Sequence, residues 1–256
     1  MIKCNIISFN TIKNKEITRI LRIWPQTILP PIVTVILYFF IFGNLIGNKL
    51  GNMTGYSYMQ YIIPGLTMMA VITNSYSNVV SSFFASKFQK SIEEILISPT
   101  YNSTIILGFI TGGIFRSLII FIFIMITAQF FSNFYIYNNT IFILSYLLTS
   151  VIFSLIGFIN GLFAKKFDDI SIIPTFILTP MIYLGGIFYS IELLPENFIP
   201  FMKMNPIFYI VNLFRYSILG ISEINIIYAI FFMLILIVIL YYLSLNILSK
   251  GYEIKK

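Results

Sequence analysis

With 256 residues, 58% of them hydrophobic and 18% aromatic, and a mean hydropathy of +0.92, the chain carries more apolar surface than one soluble core of this length can hide. Its formal charge of +7 comes from basic residues scattered between apolar runs rather than gathered in a stripe, which argues against a nucleic-acid partner and for membrane topology signals. The lack of histidine excludes imidazole proton relays and imidazole-ligated metal sites, and the single cysteine, Cys4, excludes an intrachain disulfide.

Ahead of the first long apolar run, Ile17, Ile20, Leu21 and Trp24 recur at helical spacing while Lys13, Lys15, Arg19 and Arg22 occupy other faces. This predicts an interfacial amphipathic helix over 11–24 with its basic face toward anionic headgroups. The run that follows is too long for a signal h-region and is not followed by an A-x-A-like site, so no cleavage is expected. Pro30 and Pro31 are expected in the first turn of the first span, where missing N–H donors cost least.

Apolar runs of about 20 residues, enough to cross a bilayer, predict an all-α polytopic membrane protein with six transmembrane helices. They fall at Thr27 to Ile46, Tyr58 to Phe84, Thr104 to Phe131, Thr140 to Phe163, Ile172 to Ser190 and Ile224 to Leu248. Counting basic residues by alternate loops puts twelve on one side: Lys3, Lys13, Lys15, Arg19, Arg22, Lys87, Lys90, Lys165, Lys166, Lys250, Lys255 and Lys256. The other side holds three, Lys49, Lys203 and Arg215. The positive-inside rule then places both termini in the cytoplasm. Between spans five and six, SIELLPENFIPFMKMNPIFYIVNLFRYSILG is too apolar for a free loop and too broken by Pro195, Pro200 and Pro206 for one helix. Short helices re-entering the outer leaflet are expected over 190–220, with protein or a water-filled cavity satisfying the broken backbone. No soluble domain, linker or repeat interrupts residues 1–256, which read as a single transmembrane domain.

No G-x-x-x-x-G-K-[ST] occurs, so the chain is expected to be non-catalytic and any ATP to be handled by another subunit. All nine acids, from Glu16 to Glu253, fall in loops or flanks, which counts against a proton- or cation-coupled carrier. Arg116 is the one charge expected inside a span; it reads as snorkelling to the cytoplasmic boundary, with a role in a substrate pathway as the alternative. Asn74, Asn78 and Ser82 share one face of the second span and either hydrogen-bond a neighbouring helix or line a conduit. Gly43, Gly47 and Gly51, Gly108 and Gly112, and Gly157 and Gly161 form small-residue stripes suited to helix packing or a dimer face. Tyr56, Tyr58 and Tyr61 read as an aromatic belt.

The stretch KFQKSIEEILISP concentrates charge in a chain that is only 10% charged. As a helix over 87–98 it has an apolar stripe of Phe88, Ile92, Ile95 and Leu96, charges directed elsewhere, and Pro99 as terminator.

Several segments resemble the membrane subunits of type-2 ABC exporters: RIWPQTILPPIVTVILYFFIFGNLIG, the run from Gly55 through KFQKSIEEILISP, FAKKFDDISIIPTFILTPMIYLGGIFYS and LLPENFIPFMKMNPIFYIVNLFRYSILG. The most specific part runs from Pro180 through Gly185 and Gly186 to Pro195, Asn205, Pro206 and Arg215. The resemblance implies a permease of the bacterial inner membrane that pairs as a homodimer, contacts membrane lipid and docks a separate ABC ATPase holding ATP and Mg. It also implies that Lys87, Phe88, Gln89, Lys90, Ser91, Ile92, Glu93 and Glu94 form a coupling helix, with Lys165, Lys166, Asp168 and Asp169 as a second ATPase contact. A self-contained secondary carrier or channel, and a scaffold without transport, are the competing readings.

Overall fold

The computed structural model describes residues 2–47, 51–191 and 195–251. Lys49, Glu192, Leu193, Leu194, Glu253, Lys255 and Lys256, used above, lie outside the described residues. The described chain is all-α apart from a two-stranded hairpin in which Asn52 pairs with Ser57 and Met53 with Tyr56.

Helix α1 (Ile2–Arg22) stops at Ile23, and α2 (Trp24–Tyr38) continues as a π-helical stretch over Phe39–Ile46. Next come α3 (Tyr58–Phe88), α4 (Ser91–Ile97), α5 (Asn102–Phe131) and α6 (Asn139–Phe163). The chain proceeds through α7 (Phe167–Ile173), a π-helical turn over Pro174–Leu178, and α8 (Thr179–Tyr183). A 3₁₀ turn at Glu196–Phe198 leads to α9 (Ile199–Met204), α10 (Pro206–Leu219) and α11 (Ile226–Lys250). Among the described residues, four segments are long and apolar enough to cross a membrane: Trp24–Gly43, Asn102–Phe131, Asn139–Phe163 and Ile226–Lys250.

The helix starts follow local chemistry. Ser57 opens α3 with a capping box: its hydroxyl accepts from Gln60 N and the Gln60 side chain accepts from Ser57 N, both at 3.3 Å. Asn138, Asn205 and Asn225 accept from the backbone of Ile141, Ile207 and Ile227, capping α6, α10 and α11. Between helices in lipid, apolar burial supplies little drive because acyl chains are as apolar as leucine, so close approach and hydrogen bonds matter more. At Gly157 on α6 an added Cβ would lie 2.6 Å from the Tyr76 carbonyl oxygen of α3, and at Gly112 on α5 it would lie 2.9 Å from the Glu16 Cβ of α1. These two stripes serve packing within the chain. The central core gathers Phe121, Phe142 and Phe214, with Phe142 and Phe214 ring centres 5.2 Å apart.

Several expectations change. The amphipathic helix spans Ile2–Arg22 rather than 11–24, and its buried line is Ile12, Glu16 and Ile20, while Leu21 and Trp24 are half exposed. It lies against α5, and Arg19 turns into the protein instead of toward headgroups. Pro30 and Pro31 sit inside α2, because that helix begins at Trp24. Of the expected fifth span, Ile172 to Ser190, only Ile172 to Tyr183 is helical, continuing a run that starts earlier, at Phe167; Leu184 to Ser190 is not, since Gly186 adopts φ +72 in the turn. The charged surface helix is also shorter than 87–98. Lys87 and Phe88 end α3, Lys90 takes a left-handed backbone at φ 60, and α4 begins at Ser91.

Candidate functional site

Three polar positions on α3, one turn apart, organise the interior. Ser82 donates to Glu16 Oε1, and Arg19 NH2 donates to Glu16 Oε2 at 2.9 Å and to Asn78 Oδ1 at 3.0 Å. Glu16 is fully buried, and its pairing with Arg19 is the one ion pair among the described residues. A buried carboxylate is tolerable only with such partners. The sequence reading placed Glu16 in a loop or flank, outside the spans; the available signal for its burial was its place in the line Ile12, Glu16, Ile20, spaced by four residues.

One turn further along α3, Asn74 Nδ2 donates to its own helix at Ala70 O (2.9 Å), which fixes the amide so that Oδ1 faces Arg116. Arg116 NH2 donates to that Oδ1 at 3.1 Å and to the Thr27 carbonyl at 3.1 Å. The Thr27 carbonyl is available because the residue four positions on, Pro31, has no N–H to give it. The guanidinium is therefore held inward, among three helices, and does not snorkel outward as expected.

Arg116 lines a cavity of about 400 Å³ between α2, α3, α5 and the Phe167–Tyr183 helical run. Thr34, Thr73, Ser77 and Thr179 present hydroxyls to it, while Pro30, Val35, Met69 and Leu178 supply apolar wall. Among the described residues lining it, Arg116 is the only charged one. Of the four residues singled out on the sequence, Asn74 and Arg116 share this cavity, and Asn78 and Ser82 belong to the Glu16 cluster.

The two charged segments predicted on the cytoplasmic side are brought together by aromatic rings. Phe167, at the start of α7, packs against Phe84 and Phe88 at the end of α3, both at 5.0 Å between ring centres. Lys87 Nζ donates to the Leu162 and Ala164 carbonyls at 2.7 and 2.9 Å, tying the end of α3 to the end of α6. Gln89, Lys90, Glu93, Glu94, Lys165, Lys166 and Asp168 are exposed, Ser91 is partly buried, and Ile92 is buried as the root of α4. Asp169 Oδ2 accepts from the Lys165 and Lys166 backbone N–H at 2.8 and 2.9 Å, and these bonds hold its carboxyl below the usual range. Phe167 was not singled out on the sequence, since a lone aromatic between charged residues has no periodic signature.

The signature residues form a clasp around α10. Asn205 Nδ2 donates to Met181 O at 2.6 Å, and Pro206 starts the helix where a missing donor is harmless. Arg215, fully buried, donates to Gly186 O at 2.6 Å and stacks over the Tyr61 ring at 3.9 Å, so Tyr61 is more than a belt residue. Pro180 lies in α8, Gly185 in the following turn and Pro195 immediately before the 3₁₀ turn.

Residues 8–219 match the family model described as ABC-2 type transporter. The chain is 46% identical over 245 residues to the inner membrane transport permease YadH of Escherichia coli, covering 96% of each, and the same figures hold for YadH of Shigella flexneri. It is 22% identical over 199 residues to nodulation protein J of Rhizobium leguminosarum bv. viciae, covering 76% of this chain and 75% of that protein.

Proposed function

The chain belongs to the ABC-2 type transporter family as a transport permease, and from that membership we propose that it is one membrane half of an ATP-driven exporter. Two copies pair, and each docks a separate ABC ATPase that binds ATP and Mg; the permease chain forms the path and catalyses nothing. Six spans cross the bacterial inner membrane with both termini cytoplasmic. The four long apolar segments, α2 with its π-helical continuation, α5, α6 and α11, are joined by two less regular crossings, α3 with its polar stripe and the broken run from Ile172 to Tyr183. The short helices over 190–220 re-enter from the outer side.

The observation that carries the reading is the junction of Phe84, Phe88 and Phe167, which unites the end of α3 with the start of α7 on one face. Lys87 to Ser98 is the coupling segment and Lys165 to Ser171 the second contact, so ATP-driven closure of the partners reaches both through one aromatic joint. Glu93 and Glu94 stand exposed in the first turn of α4, available to a basic cleft.

Replacing Glu93 and Glu94 together with Lys is expected to lower recovery of the partner ATPase in copurification about tenfold while membrane insertion stays unchanged. Undiminished recovery would count against the coupling role. The competing reading, a self-contained secondary carrier, is favoured by acids along the path; Glu16, the one fully buried acid among the described residues, is closed in by Arg19 and Ser82, and the described lining of the Arg116 cavity has no carboxylate.

A further inference from the structure

We propose that the cavity at Arg116 binds the oxyanion of a phosphate group, and that Arg116 is the residue selecting it. The inference rests on the reading of this chain as a permease, whose path it equips with a chemical preference. Three observations converge. The cavity, about 400 Å³, has room for a headgroup-sized ligand. Its described lining contains one positive charge and no carboxylate, so nothing there neutralises the guanidinium. The bonds that Arg116 makes use one terminal nitrogen, NH2, toward two neutral acceptors, Asn74 Oδ1 and Thr27 O.

The other terminal nitrogen, NH1, makes no hydrogen bond within the described residues and keeps its N–H donors for a ligand, charge-assisted donors of the kind that hold a phosphate oxygen. Asn74 acts as a positioning residue: fixed by its own bond to Ala70 O, it holds NH2 and so sets where NH1 points. The hydroxyls around it donate to their own helices, Thr34 to Pro30 O, Thr73 to Met69 O, Ser77 to Asn74 O and Thr179 to Pro174 O. They give the wall a polar but uncharged surface. Pro30, Val35, Met69 and Leu178 on the same wall suit the first methylenes of an attached chain.

Arg215 does not compete for this role. It is fully buried, covered by Tyr61, and its neighbour Glu223 lines the same smaller cavity of about 320 Å³, so that site has its own negative charge.

The test is native mass spectrometry of the full-length chain in neutral detergent, titrated in separate arms with didodecanoyl phosphatidic acid, the phosphate-free didodecanoylglycerol and inorganic phosphate. Wild type is expected to hold phosphatidic acid about tenfold more tightly than didodecanoylglycerol. Arg116→Gln should abolish that preference and leave didodecanoylglycerol unchanged, while Arg116→Lys, which keeps the charge without the guanidinium geometry, should retain part of it. Competition by millimolar phosphate identifies a free anion as sufficient; its failure to compete identifies the headgroup with its chains. Ser77→Trp, which fills the cavity and leaves Arg116 in place, is the second variant and should also remove the preference. A preference that survives in Ser77→Trp, or in Arg116→Gln, overturns the proposal, because the anion is then held on the basic surface. No ATPase is present in the assay, so its failure is separable from a failure of the Glu93 and Glu94 test.

Discussion

Arg19 and Arg116 meet the same polar face of α3 one turn apart, and their surroundings differ in one respect. Arg19 arrives with a carboxylate from its own helix, Glu16, and together with Asn78 and Ser82 the group is closed. Arg116 arrives with none and finds a side-chain amide and a carbonyl released by a proline. The same side chain is thus a structural clasp in one place and an open positive charge beside a cavity in the other. What decides is whether the neighbouring helix brings an acid, since a buried charge left without one stays available to a ligand.

The comparison can be broken from either side. Glu16→Ala removes the partner that closes the first group and leaves Arg19 in a pocket shaped for a pair. Because the Arg19 side chain is 30% exposed and water can reach it, we expect the detergent-solubilised chain to lose about 2–3 kcal/mol of stability in thermal unfolding, with partial recovery when Arg19→Ala is added. A loss under about 1 kcal/mol would show that the pair is surface-like. Asn74→Ala takes away the fixed acceptor beside Arg116 without touching the charge. It should weaken phosphatidic acid retention by about threefold in the binding assay, less than Arg116→Gln, and leave stability within about 1 kcal/mol. Pro31→Ala is the smallest change. It returns an N–H to the Thr27 carbonyl, so Arg116 must share that acceptor; stability should rise by about 1 kcal/mol and anion retention shift by less than about twofold.

Much of this was legible in the sequence. The long helices α5, α6 and α11 lie within a few residues of their predicted spans, because runs of apolar residues flanked by Asn or by charged residues leave little alternative. Asn74, Asn78 and Ser82 were read as one face, and they are. The rest depended on neighbours that a one-dimensional pattern does not reveal. Arg116 turns inward because a proline 85 positions earlier in the chain frees an acceptor. Glu16 is buried because Gly112 lets α1 approach α5 closely enough to cover it. The end of the Phe167–Tyr183 run was misplaced since apolarity continues through Ser190 while Gly185 and Gly186 bend the chain out of helix. Likewise, the periodicity of 87–98 is continuous although its backbone is not, Lys90 breaking it at one residue.

That break has a mechanical meaning. Lys87 pins the end of α3 to two carbonyls at the end of α6, making a stiff corner in which neither helix end can shift without the other. The two residues between that corner and α4 are tied as well: Gln89 N donates to Ala85 O, Lys90 N to Lys87 O, and Glu93 N to Lys90 O. The left-handed turn is thus a short bonded link rather than a loose tether, and in the coupling role proposed above a displacement of α4 would reach two long helices together.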